Sequence, residues 1–302
     1  MTDISVVVPT KDRLPYLRKA IPMFLAHEEV KEVIVVVDGC SDGTLEYVRE
    51  VSASDPRVRY VDNVTNKGLP YSRNRGLELA ECEYAFTGED DLELTPNFFA
   101  TLLAHMAKTG ADIISGRNVF RWELHTQAQS IARTDRITGP AVNRRTLMVH
   151  PGINTREDQE QPLLPAPMLA RTEIFRKVRF DHETYRGNAW REESDFQLSA
   201  WEAGYKLFFC PHAISFNVEI ENDHGGVHTT HGFKRVTWVV RNNWRFVRKH
   251  RELIAREFDL GNLYVYIVKF AVRRMFTEVI APELSRRKQQ LLGARGAARA
   301  AD

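Results

Sequence analysis

The chain has 302 residues, 43% of them hydrophobic, which is enough for one large α/β domain with additions or for two modest domains. Its 42 basic and 40 acidic residues nearly cancel, so nothing in the global charge argues for a nucleic-acid partner. Strand-like residues appear from Ile4 without a preceding signal core, and no uncharged apolar stretch approaches bilayer length; the expectation is a cytoplasmic protein, soluble or peripheral on the cytoplasmic membrane face.

The first 115 residues alternate between two periodicities. Strands are expected over Ile4–Val8, Val33–Val37, Val58–Val61, Tyr84–Thr87 and Asp112–Ser115. Helices are expected between them, over Leu14–Ala26, Thr44–Val51, Pro70–Ala80 and Pro96–Lys108. Short Val/Ile-rich strands alternating with helices imply a mostly parallel sheet, right-handed in its crossovers and covered on both faces. Residues 117–163 lose this rhythm and read as a functional insertion or a pair of irregular strands. Helices near Thr172–Lys177 and over Glu193–Ala203 follow, then a strand at Lys206–Cys210. A glycine loop with His224, His228 and His231 leads into a helical region from Val236 and a basic Ala/Arg tail expected to be disordered. Three widely spaced cysteines, Cys40, Cys82 and Cys210, argue against a disulfide framework or a zinc site and fit reduced thiols.

Several loops fall on one sheet edge, the edge at which open α/β sheets bind ligands. Pro9-Thr10-Lys11-Asp12-Arg13 ends the first strand, and Asp38-Gly39-Cys40-Ser41-Asp42-Gly43-Thr44 ends the second. Asp38 emerges straight from a hydrophobic strand and suits a base or ribose; Asp42 reads as a local helix cap. Asn66–Gly76 adds Gly68, Arg73 and Arg75 at a helix start, where donors can meet a base or phosphate. Glu89, Asp90 and Asp91 crowd the end of the fourth strand, and something cationic should offset their repulsion, most simply a divalent metal carrying phosphate. Neither GxGxxG nor GxxxxGK is present, which removes the two commonest nucleotide-binding loops.

Together, Val-Val-Val-Pro-Thr-Lys-Asp-Arg, Val-Asp-Gly-Cys-Ser-Asp-Gly-Thr, Asn-Lys-Gly-Leu-Pro-Tyr-Ser-Arg-Asn and Gly-Glu-Asp-Asp resemble glycosyltransferase family 2, with its GT-A fold. The resemblance covers about the first 115 residues and resumes over about 165–215. It implies one GT-A domain over 1–235, with a nucleotide-binding half to 115 and an acceptor half from 116, followed by a helical extension over 236–302. It also implies that Asp38 contacts the nucleobase, Asp90 the ribose side and Asp91 the metal, Mn2+ or Mg2+, on the diphosphate. Pro9, Thr10, Arg13, Gly68 and Arg73 would complete the donor-nucleotide pocket, while Glu89 has no assigned role.

Pro167–Phe175 looks like the family segment that contacts sugar and acceptor. Trp190-Arg191-Glu192-Glu193-Ser194-Asp195-Phe196 looks like its Glu-Asp-x-Asp-Leu stretch, where the second acid is the usual base. Matched residue by residue, the base falls on Glu193, a departure from aspartate, with Glu192 beside it as a second catalytic candidate. Acid enrichment at a helix start accounts for Asp195 or Glu192 but not for all three acids. Asn217 stands where the family often has a metal-ligating histidine, and His224 is the first choice to replace it. The implied activity is inverting, metal-assisted transfer from a nucleotide-diphosphate sugar, with UDP favoured, to a glycan or lipid-linked acceptor. A sugar nucleotidyltransferase is the alternative, but it needs a glycine-rich loop that Pro9–Arg13 lacks; a non-catalytic sugar-binding protein is the third reading. The aromatic, basic C-terminal helices suit an anionic membrane surface, although packing on the same domain or in a homodimer is the favoured reading.

Overall fold

The structure is a computed structural model and describes residues 3–122, 125–219 and 232–284. The early alternation folds as the periodicities predict. β1 (Ile4–Thr10), α1 (Leu14–Leu25), β2 (Val30–Val37), α2 (Thr44–Ser54), β3 (Val58–Asp62), α3 (Leu69–Leu79) and β4 (Tyr84–Thr87) follow one another. β5 (Leu92–Leu94), α4 (Phe98–Thr109) and β6 (Ile113–Trp122) complete the first half. β1 pairs in parallel with β2 on one side and β4 on the other, and β2 pairs in parallel with β3. The chain therefore leaves β1 in opposite directions, which opens a crevice beyond its carboxyl end.

Side chains alternate across this sheet. Val6, Val8, Val33, Val35 and Phe86 enter one core layer, while Val7, Ile34, Val36 and Ala85 enter the other. In the first layer Phe86 meets Phe24, Phe98 and Phe99 edge-to-face at 5.1–6.4 Å, the geometry in which aromatic pairs attract beyond their buried area. α3 lies unusually close to the sheet because Gly76 has no Cβ: one added there would stand 2.3 Å from Val7 Cγ1.

The second half departs from the expectation in several places. The strand expected at Asp112–Ser115 runs on to Trp122, and the one expected at Lys206–Cys210 is β11 (Leu207–Glu219), the two pairing in parallel. The helix expected from Pro96 begins at Phe98, because the preceding β5 pairs with β11 and Thr95 bonds through both its amide and its hydroxyl to the Ile214 carbonyl. Residues 117–163 are not wholly irregular. They hold the end of β6, α5 (Gln127–Thr134) behind a Thr126/Gln129 capping box, a hairpin of β7 (Val142–Asn143) and β8 (Met148–Val149), and β9 (Gln159–Glu160). β10 (Leu169–Arg171), absent from the sequence reading, slots antiparallel between β4 and β6. Among the described residues the main sheet has the order β3-β2-β1-β4-β10-β6-β11-β5, with β9 on β11, and only β5, β9 and β10 run against the rest.

α6 (Thr172–Val178) and α7 (Glu192–Glu202) cover the sheet. α8 (Gly232–Lys249), α9 (Arg251–Glu257), α10 (Leu263–Met275) and a π-helical turn (Phe276–Ile280) form the C-terminal extension. α10 packs on α8 through Tyr266 and Trp244–Tyr264 ring contact. Its outer face leaves Tyr264, Val268, Val272, Phe276, Ile280 and Leu284 exposed at four-residue spacing, beside the exposed Lys269 and Arg273. No described helix is long and apolar enough to cross a membrane.

Candidate active site

Three strand ends meet at the crevice: Thr10 closes β1, Asp38 follows β2, and Glu89–Asp91 follow β4. A cavity of about 400 Å³ lies over them. Pro9, Thr10, Arg13, Asp38, Gly68, Arg73, Asp90 and Asp91 all line it, so every nominated donor-side residue and Asp91 share one space. Lys11, Asn66, Ser72, Phe120, Gly187 and Asn217 line it too. Of these, Phe120 and Gly187 had no sequence signal. Phe120 belongs to a strand extension that short apolar runs did not reveal, and Gly187 to a loop without periodicity.

Asp38 is buried, and its carboxylate accepts from Asn63 Nδ2 (2.9 Å) and from the backbone N–H groups of Lys67 (2.7 Å) and Gly68 (2.9 Å). It therefore pins the 63–68 loop across the cavity. Asp42 holds a local turn, accepting from the amide (3.2 Å) and hydroxyl (2.6 Å) of Thr44, and it also takes the Leu14 amide at the start of α1.

Asp90 and Asp91 share one guanidinium. Arg13, stacked on the Tyr16 ring at 4.2 Å, donates Nε to Asp90 and Nη2 to Asp91, each at 2.8 Å. Thr10 Oγ1 donates to the other Asp90 oxygen at 2.7 Å. Burial pushes Asp90 up to about 6, with Arg13 pulling it down and Asp91 pushing it further. Asp91 is more open, and Asn217 Nδ2 approaches it at 3.4 Å. Asn217 thus reaches the metal candidate from β11, at the position where a histidine ligand was sought. His224, nominated for that role, lies outside the described residues, as do His228 and His231.

Arg73 is the hub on the other side. An arginine at a helix start usually points to solvent, as the neighbouring Arg75 does, yet Arg73 is 1% exposed. Its guanidinium bonds to Glu192, to Glu193 at 2.7 Å and to Glu89 at 3.3 Å, and it lies 5.5 Å from the centre of the Phe180 ring. Glu89 thereby gains a place, if not a reaction: burial and the nearby Asp91 push its carboxyl up to about 8 against the pull of Arg73. Glu192 and Glu193 do not line the cavity themselves; they reach it through Arg73, which does. Glu192 is fully buried, whereas Glu193 keeps a quarter of its side chain exposed.

α7 delivers both glutamates from its first turn, where the helix dipole favours acids. Arg191, just before it, takes a left-handed φ of 75°, uncommon for a residue with a side chain. Its buried guanidinium compensates with bonds to Asn243 Oδ1 (3.0 Å) and the Leu147 carbonyl (2.7 Å). Asp195 is structural: it accepts from Tyr185 (2.9 Å) and Lys249 (2.8 Å) and faces His250 Nε2 at 2.9 Å, locking α7 to α8. The Pro167–Phe175 segment, expected near sugar and acceptor, forms β10 and the start of α6, and the Pro167 carbonyl accepts from Ser115.

The donor set suits a hard divalent cation. Five acids, Glu89, Asp90, Asp91, Glu192 and Glu193, share the guanidinium groups of Arg13 and Arg73, which leaves excess negative charge even with Glu89 protonated. Asp90 is closed off by Thr10 and Arg13, whereas Asp91 and Glu89 both line the cavity and keep part of their side chains open. Among the described residues the two groupings of three side chains with ligand-like spacing lie elsewhere, so phosphate oxygens would have to complete the coordination, as is usual for Mg2+-type sites.

The model of Glycosyl transferase family 2 matches residues 5–154, the stretch that carries Thr10, Arg13, Asp38, Arg73 and the Glu89–Asp91 acids. WcaA of Escherichia coli (strain K12), a glycosyl transferase named for colanic acid biosynthesis, is 32% identical over 131 residues, covering 42% of this chain and 47% of that protein. The chain spans about half the length of this curated relative. Among solved structures, TarS 1–349 of S. aureus in complex with UDP-GlcNAc aligns with a TM-score of 0.59 at 15% identity, covering 92% of this chain and 74% of that one. The mannosyltransferase PcManGT of Pyrobaculum calidifontis, in complex with GDP-Man and Mn2+, aligns with a TM-score of 0.58 at 16% identity, covering 99% and 80%. At such identities the structural likeness speaks for the fold, a GT-A-like mixed sheet covered by helices with C-terminal helices beyond it. The matched sequence and the acids at its strand ends speak for the lineage: the chain belongs to glycosyltransferase family 2.

Proposed function

We propose that the protein transfers a sugar, with inversion, from a nucleotide-diphosphate donor to a hydroxyl of a glycan or lipid-linked acceptor in polysaccharide synthesis. One observation carries this reading: Arg73 joins the acids of the donor cavity to Glu193, so a base candidate and a diphosphate site share one buried cation. The nucleotide would lie over Pro9, Thr10, Asp38 and Gly68, with Asp90 towards the ribose. Asp91 would hold Mn2+ or Mg2+, and a bound ion supplies electrostatic stabilisation of the leaving diphosphate. The other steps fall to the chain. Glu193, a quarter exposed at the start of α7, accepts the acceptor hydroxyl proton as that oxygen attacks the anomeric carbon opposite the leaving group. Arg73 orients Glu193 and lends positive charge to the same volume.

UDP-GlcNAc in TarS and GDP-Man in PcManGT make both kinds of donor worth trying, with a UDP-sugar first. The exposed apolar ridge of α10 supports a peripheral contact with an anionic lipid surface. It carries aromatic residues and runs beside Lys269 and Arg273. A panel of nucleotide sugars with Mn2+ tests the proposal. One donor should release nucleoside diphosphate slowly without acceptor and quickly with it; a protein that binds donors but never cleaves them would be a binding module instead.

A further inference from the structure

A second cluster lies away from the cavity. His105 on α4, Asp158 just before β9 and Cys210 on β11 bring a ring nitrogen, a carboxylate oxygen and a sulfur within 4.8 Å of one another. None of the three lines the donor site. His105 Nδ1 is 2.7 Å from Asp158 Oδ2, whereas Asp158 Oδ1 is buried without a hydrogen-bond partner on a side chain only 7% exposed. An orphaned carboxylate oxygen of this kind costs free energy unless a cation meets it.

Cys210 is fully buried. The register of β11 against β6 slips between Cys210 and Ile214. Pro211, His212 and Ala213 make up the irregularity there. The His212 ring stacks on His105 at 5.0 Å and covers the cluster from outside. Lys108 Nζ stands 3.8 Å from Asp158 on a mostly exposed side chain, where water screens it.

We propose that His105, Asp158 and Cys210 form a zinc-type metal site, separate from the donor site, that clamps β11 to α4 and to the segment leading into β9. Nitrogen, oxygen and sulfur donors suit Zn2+, and the thiol selects against Mg2+ and Mn2+. Three protein donors leave the fourth tetrahedral position to water. As the sulfur–metal bond forms, the thiol proton passes to solvent. The clamp acts on the strand that presents Asn217 to Asp91. Cysteine spacing hides such a site, because each ligand comes from a different segment.

Co2+ reports it. The full chain, stripped with EDTA and titrated with Co2+, should develop a sulfur-to-cobalt absorption band that saturates at one equivalent and is displaced by Zn2+. Carboxylates and phosphates at the donor cavity are silent in that band. Cys40→Ser and Cys82→Ser should keep it, Cys210→Ser should lose it, and Asp158→Asn and His105→Gln should each weaken Co2+ binding at least tenfold, with circular dichroism unchanged. Absence of the band in the parent, its survival in Cys210→Ser, its loss in Cys40→Ser, or parent-like affinity in both Asp158→Asn and His105→Gln overturns the site. Should Cys210→Ser fail to fold, the other two ligand variants decide.

Discussion

Replacing Arg73 with methionine removes the charge at the hub while keeping much of the side chain's length. Arg73 is 1% exposed and serves Glu192, Glu193 and Glu89, and Glu192 is itself fully buried, so water has little access to replace the guanidinium. Removing one partner of a buried ion cluster costs about 3–5 kcal/mol, because the remaining charge stays desolvated. For a chain of this length that loss lowers the melting midpoint by about 5–8 °C. The pH dependence has a definite sign. Glu89 titrates at about 8 in the folded protein, above its ordinary 4.5. Between those values the folded state holds a proton that the unfolded chain has released, so this group's contribution to stability falls as pH rises through the window. Arg73 opposes the rise of Glu89; without it the carboxyl moves further up and the fall continues to higher pH, past the point where the parent levels off. Thermal unfolding followed by circular dichroism should therefore show a larger deficit for Arg73→Met at the alkaline end of that window than at the acidic end. Equal midpoints for parent and variant at both ends, or a deficit that grows on acidification, would refute the reasoning.

Asp91→Ala should abolish the Mn2+-dependent part of nucleotide-sugar binding in calorimetry; an affinity that ignores both the substitution and the metal removes Asp91 from the site. Glu193→Gln should bind donor normally and lose roughly 100-fold or more in transfer, so a parent-like rate puts the base elsewhere. Asp195→Asn weakens the charge that holds Tyr185, Lys249 and His250 and should cost about 1–3 kcal/mol in denaturant unfolding with donor affinity preserved; a large loss of donor affinity in the folded variant would mean that Asp195 acts in the site. Vesicles containing phosphatidylglycerol should sediment the protein, and changing Val268, Val272 and Phe276 to serine should release it. If those changes instead turn a sedimenting dimer into monomer, the ridge is a subunit interface.

The sequence was most informative where period and position coincide. β4 begins and ends at the expected residues, and the acids after it stand where a strand of four residues puts them. Antiparallel insertions were invisible for a physical reason: β5 and β10 have three residues each, too few for a period, and gain their pairing from strands distant in sequence. The glutamates at 192 and 193 were legible as acids at a helix start. Their common partner was not, because nothing local distinguishes Arg73 from Arg75; only the fold buries one and leaves the other in water. Spacing rules describe ligands on one loop, so they do not register a cluster such as His105, Asp158 and Cys210, which sits on three segments.

Asp38 shows how a role inferred from motif position and a role seen in the structure can hold together. The motif implies a contact with the nucleobase, whereas the carboxylate is occupied by the side chain of Asn63 and the amides of Lys67 and Gly68. A carboxylate offers about four lone-pair sites, and three are filled. The fourth can still meet a donor group on a base, while the other three fix the 63–68 loop that borders the same cavity. Base selectivity would then belong to the whole loop, including the Asn66 and Gly68 positions that line the cavity. Its origin lies in a strand end: a hydrophobic β2 stops at Val37, and the next residue is a buried acid that must find donors.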